Sequence, residues 1–146
     1  MPVSAMTAVE WLNLLTHLKR WVSNLLRART KRKAESKQAL RSVIRAVRET
    51  EIYVRRLKEG GKKSIKAEEK LSLRWTDLSF LLGDLKLGKL AKKCEIKGRY
   101  WADPSRYDSD FLNRAGTKLP EVERVALLAL AEIDRAKNRG RNRRKG

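Results

Sequence analysis

Residues 37–61 read KQALRSVIRAVRETEIYVRRLKEGG. Within them Leu40, Val43, Val47, Thr50, Val54 and Leu57 recur at alternating steps of three and four, the spacing that gathers side chains on one face of an α-helix. Ile44 and Ala46 widen that stripe. Gly60 and Gly61 stop it, because glycine takes the left-handed conformation that closes a helix C-terminus at no steric cost. The same periodicity turns Arg41, Arg45 and Arg48 to the outward face. A helix that is apolar along one side and cationic along the other needs helical partners for its apolar side, so the fold question passes to the flanking segments.

On the N-terminal side, Trp11, Leu14, Leu15, Leu18, Trp21, Val22 and Leu25 form another helical face, with Thr7 and Glu10 at capping-box spacing ahead of it. No Gly or Pro separates this segment from the next, so composition permits one helix from residue 8 to 58. Register argues against it. Extending the seam past Leu25 reaches Arg29, Arg32 and Ser36 and would bury two guanidinium groups, which predicts a turn near Arg29 to Lys33.

On the C-terminal side, Ser64 is placed to cap a third helix through Leu71, Trp75, Leu78, Leu82 and Leu85, flanked by Phe80 and Leu81. It is the most apolar helix and is expected near the centre. Leu90, Ala91 and Ile96 suggest a short helical piece, followed by a long loop over residues 97 to 118 containing Arg99, Tyr100, Trp101 and Pro104. A last helix starts around Pro120, with Glu121 and Glu123 at its positive end and Val122, Val125, Ala126, Ala129 and Ile133 on its buried face. Leu127, Leu128 and Leu130 widen that face. The expected fold is all-α, an antiparallel four-helix bundle over residues 1–136 as a single domain, with a disordered basic tail over 137–146. Such an outline is too common to indicate a family.

Composition bounds the function. The chain has 146 residues, one ordinary domain, and 41% of them are hydrophobic, enough for a packed core. Lys and Arg number 36 against 17 Asp and Glu, a formal charge of +19. A field of that sign attracts phosphate polymers. The single cysteine, Cys94, excludes an intramolecular disulfide and fits a reducing, cytoplasmic setting. No run of eighteen apolar residues is present, so no membrane association is expected; a peripheral role for the first helix on an anionic bilayer is weighed against, because its apolar face is needed to complete the core.

Enzymatic signatures fail one at a time, and no catalytic residue, metal site or cofactor is expected. His17 is the only histidine, and it reads as a helix-packing residue. Cys94 follows Lys92 and Lys93, which favour a thiolate, but no histidine stands near it in sequence to serve as base. Asp103, Asp108 and Asp110 cluster among Arg99, Arg106 and Arg114, which neutralise them. Gly60 and Gly61 precede Lys62 and Lys63 without P-loop spacing.

The basic clusters carry the stronger signal. Arg27, Arg29, Lys31, Arg32, Lys33 and Lys37 form one run, continued along the helix by Arg41, Arg45 and Arg48. Lys92, Lys93, Lys97 and Arg99, together with Lys86 and Lys89, form a second. Arg139, Arg141, Arg143, Arg144 and Lys145 form a third, in a tail suited to counterion release without fixed geometry. Tyr100 and Trp101 read as residues that pin the loop to the bundle, with base stacking the lesser expectation. The sequence therefore predicts a non-catalytic protein that holds the backbone of nucleic acid, RNA or DNA, with weak sequence specificity. The alternative is a helical adaptor or oligomerising protein that binds itself or an acidic protein partner, motivated by Trp21 standing at the edge of the first helix's apolar face.

Overall fold

The apolar stripe around Val47 forms the longest helix among the described residues and fixes where its neighbours lie. The computed structural model describes residues 8–102 and 118–135. These form α1 (Ala8–Leu26), α2 (Thr30–Lys58), α3 (Ile65–Asp84), α4 (Gly88–Ala102) and α5 (118–135), with no strand among the described residues. The all-helical bundle expected from the sequence is present, with one more full helix than expected.

α1 and α2 are separate. The chain turns at residues 27–29, where Arg27 N–H and Ala28 N–H donate to the carbonyls of Asn24 and Leu25. Arg29, the N-cap of α2, is extended at φ −67°, ψ 156°. The turn thus falls slightly ahead of the expected one and resets the register, so that Ser36 is buried while Arg32 stays half-buried and donates to Leu85 O at 2.8 Å. Polar residues on the inner face of α2 satisfy themselves locally: Ser36 Oγ donates to Arg32 O (2.8 Å) and Thr50 Oγ1 to Ala46 O (2.7 Å).

α2 ends in a Schellman turn, with Gly60 at φ 86°, Gly60 N–H donating to Leu57 O and Gly61 N–H to Arg56 O. Ser64 caps α3 by accepting from Ala67 N–H at 3.2 Å. Two buried polar pins then set α2 against α3 in antiparallel register. Trp75 Nε1 donates to Thr50 Oγ1 at 3.0 Å, and Tyr53 OH donates to Glu68 Oε2 at 2.6 Å while accepting from Ser64 N–H at 3.0 Å. Trp75, Leu78 and Leu82 are fully enclosed, so α3 is central as expected. Burying each such side chain contributes about 2 kcal/mol.

α3 turns into α4 through a second Schellman geometry, with Lys86 N–H bonded to Gly83 O and Leu87 N–H to Leu82 O. Here the left-handed position, at φ 65°, is held by Lys86 rather than glycine. The expectation of a short helical piece followed by a loop from residue 97 is corrected: α4 continues to Ala102. Its inner seam is Leu90, Cys94, Lys97 and Trp101, all buried at helical spacing. Reading Lys97 and Gly98 as loop residues hid that seam. Gly98 is there because α3 comes too close for a side chain: a Cβ would stand 2.5 Å from Thr76 Oγ1, while Ser72 Oγ donates to Gly98 O at 2.7 Å. The rest of the expected loop, from Asp103 to Thr117, lies outside the described residues, as do Thr7 and the tail beyond Arg135.

α5 is helical from Lys118, two residues before Pro120, and buries Leu119 with Val122, Ala126, Ala129 and Ile133. It runs antiparallel to α2, joined to it by Lys37–Asp134 and Arg48–Glu123 ion pairs, each at 2.5 Å, and reaches α1 through Lys19–Glu121 at 3.1 Å. Leu127 and Leu128, expected to widen the buried face, are exposed. Trp21 is only 5% exposed, packed in the same core as Leu18 and Leu25, which removes the edge position that motivated the adaptor reading. No helix of the described residues is long and apolar enough to cross a membrane.

Candidate nucleic-acid interface

α2 contains ten basic residues and three acidic ones, and burial of its apolar seam forces the basic residues outward. Arg41, Arg45, Arg48, Arg55 and Arg56 are all exposed. Together they span about 22 Å of helix at 1.5 Å per residue. No carboxylate of the described residues pairs with Arg41, Arg45, Arg55 or Arg56, while Arg48 is held by Glu123. Arg55 and Arg56 were absent from the expected set, although extending the outward arithmetic past Arg48 reaches both.

The N-terminal run divides. Arg27, Arg29 and Lys31 are exposed, with Arg27 bonded to Asn24 Oδ1 at 3.3 Å. Lys33 is half-buried, Arg32 is committed to the Leu85 carbonyl, and Lys37 to Asp134. On α4, Lys89, Lys92 and Arg99 are exposed, Arg99 paired with Glu95 at 2.5 Å, and Lys93 is half-buried. Lys97 is a correction: at 0% exposure it stands in the α4 seam and presents nothing to a ligand. Arg139, Arg141, Arg143, Arg144 and Lys145 lie outside the described residues.

These placements gather the charge. α3 and α5 each hold three basic and four acidic residues, so the cationic excess of the helical body sits on α2 and α4, which flank α3. Tyr100 and Trp101, expected to pin a loop to the bundle, instead pack into it from within α4. Tyr100 and Trp101 are buried and meet edge to face at 5.1 Å, and Trp101 meets Tyr53 at 5.8 Å.

Other reactive groups are accounted for. Burial pushes the Cys94 thiol up to about 12, with only partial relief from Lys97, so it is no nucleophile near neutrality. Burial, then Arg20, Lys93 and Lys89, hold the His17 imidazole below its usual 6.5. Among the described residues no group of three or more His, Cys, Asp or Glu is placed to hold a metal ion, and Asp103, Asp108 and Asp110 lie outside them.

A pair invisible to the sequence reading stands between α2 and α5. Glu51 faces Glu123 in an open cleft of about 420 Å³ that Arg48, Arg55, Lys58 and Pro120 also line. Burial raises the Glu51 carboxyl to about 7, reinforced by a hydrogen bond to Glu123 and by that neighbour's charge, while Arg48 and Arg55 pull the other way. Glu51 Oε1 is buried and takes no hydrogen bond from any donor of the described residues, so its burial beside the Glu123 carboxylate favours the neutral acid. Residues 72 positions apart meet only through the docking of α5.

Comparison with protein-family models, curated proteins and solved structures finds no match for this chain.

Proposed function

We propose that this protein is a non-catalytic nucleic-acid-binding bundle that grips the phosphate backbone of RNA or DNA with weak sequence specificity. The observation that carries the reading is the line of outward arginines on α2, Arg41, Arg45, Arg48, Arg55 and Arg56, four of them in no ion pair with a carboxylate of the described residues, although Arg45 and Arg55 each share a cleft with carboxylates. Helical spacing of this kind holds guanidinium groups at fixed intervals, which favours phosphate contacts and counterion release over direct base reading. The basic residues after Ala136 add affinity without geometry. A cytoplasmic setting belongs to the same reading, on the strength of the single cysteine.

The test is fluorescence anisotropy on RNA and duplex DNA across a salt series. Affinity falls steeply with salt, and the Arg41→Glu/Arg45→Glu double variant loses at least about tenfold and flattens the slope by about 2. Truncation after Ala136 lowers affinity while leaving the effect of the double variant in place. Association that ignores salt overturns the reading.

A second reading has one observation in its favour: Leu127 and Leu128 are exposed side by side on α5, near Pro120. Self-association through that face gives a salt-resistant oligomer in sedimentation with no affinity for nucleic acid.

A further inference from the structure

Two large apolar side chains on α3 stand in water. Leu73 and Phe80 are each 65% exposed, and their separation of seven residues puts them on the same outward side of the helix. The other described aromatics of known exposure on α2, α3 and α4, Tyr53, Trp75, Tyr100 and Trp101, are all buried. Phe80 is therefore the one aromatic ring these three helices turn outward, and it lies between their two cationic members.

Its surroundings differ on its two sides. Toward α2 stand Arg45 and Arg74 with Asp77 and Asp84, and Arg74 is paired to Glu49 at 2.9 Å. The carboxylates there oppose a phosphate. Toward α4 the ring walls a groove of about 480 Å³ that the small residues Gly88 and Ala91 also line. Thr76 and Ser79 supply hydroxyls within it, and Ser79 Oγ spends its proton on Thr76 O, leaving its lone pairs to accept. Lys92 and Arg99 line the same groove; Glu95, the one carboxylate in it, is paired with Arg99, and no carboxylate of the described residues pairs with Lys92.

We propose that this α3–α4 groove receives an unpaired nucleobase stacked on Phe80, with the adjoining phosphate held by Lys92 and Arg99. The assignment rests on the nucleic-acid reading above and sharpens it to single strands. A base in a duplex has both faces covered by its neighbours, whereas an unpaired base offers a free π-face to an aromatic ring beside a cationic groove. Thr76, Ser79 and Glu95 accept from base edges without demanding one base, in keeping with weak sequence preference.

The closing experiment measures binding of a single-stranded RNA of about twelve uridines and of a duplex of equal length to the full chain, with a salt series. Phe80→Ala lowers single-strand affinity about tenfold, leaves its salt slope unchanged and spares the duplex. Phe80→Trp retains affinity, and its added fluorescence is quenched on binding. Leu73→Ala, which removes equally exposed apolar surface without a ring, leaves both affinities in place. If the parent chain binds single strands and Phe80→Ala binds them as well, or if it weakens duplex and single strand alike, the stacking assignment is overturned and the phosphate-binding reading stands. If the parent binds neither nucleic acid, both fall together.

Discussion

Replacing Glu51 by Gln probes the buried carboxyl between α2 and α5. Glu51 carries a carboxyl raised from an ordinary 4.5 to about 7, chiefly by burial and then by Glu123. A carboxyl raised on folding contributes its stabilisation fully below its unfolded value, where it is protonated in both states, and loses it as pH climbs through the folded value. The wild-type chain therefore becomes less stable between about pH 4.5 and 7 on account of this group. The whole displacement corresponds to about 3 kcal/mol. Because the cleft is open and Arg48 and Arg55 stand beside the pair, solvent screening reduces the realised effect to about 1 kcal/mol. Glutamine is neutral at every pH, and its amide donates to Glu123 as the protonated acid does. Thermal unfolding followed by circular dichroism at about pH 4 and about pH 8 reads the difference: Glu51→Gln matches the parent at the lower pH and melts about 3 °C above it at the higher. An equal offset at both pH values refutes the raised Glu51 carboxyl.

Two further substitutions test the backbone geometry around α4. Lys86→Gly relieves a non-glycine residue at φ 65°, and chemical denaturation should show a gain of about 0.5–1 kcal/mol, less than the full left-handed penalty because glycine is looser in the unfolded chain. Gly98→Ala drives a methyl to 2.5 Å from Thr76 Oγ1 and 3.2 Å from Ser72 O, and should cost about 1–3 kcal/mol in the same measurement despite alanine's better helix propensity.

Periodicity made most of the bundle legible. The inner faces of α1, α2, α3 and α5 were readable because each repeats apolar residues at steps of three and four, and the caps at Ser64 and Gly60 follow from local chemistry alone. α4 was misread because its seam includes a buried lysine and a glycine, Lys97 and Gly98, whose places are set by what α3 presents to them. The same limit governed the interface. Arg41 and Arg45 were found from their spacing, whereas the loss of Arg32, Lys37 and Lys97 to interior or interhelical partners depends on neighbours distant in the chain. Phe80 was counted with the apolar residues flanking α3. Only the positions of α2 and α4 on either side show that it has no core to enter.

The groove beside Phe80 is strung between two anchors. At one end the turn through Lys86 ties α3 to α4; at the other, Gly98 brings the helices together and Ser72 holds its carbonyl. These two contacts fix the backbone of α3 and α4 on either side of the groove. The backbone of the cleft is thus set by the two contacts, and the reorganisation a bound phosphate would require falls on side chains, ordering Lys92 and drawing Arg99 from Glu95.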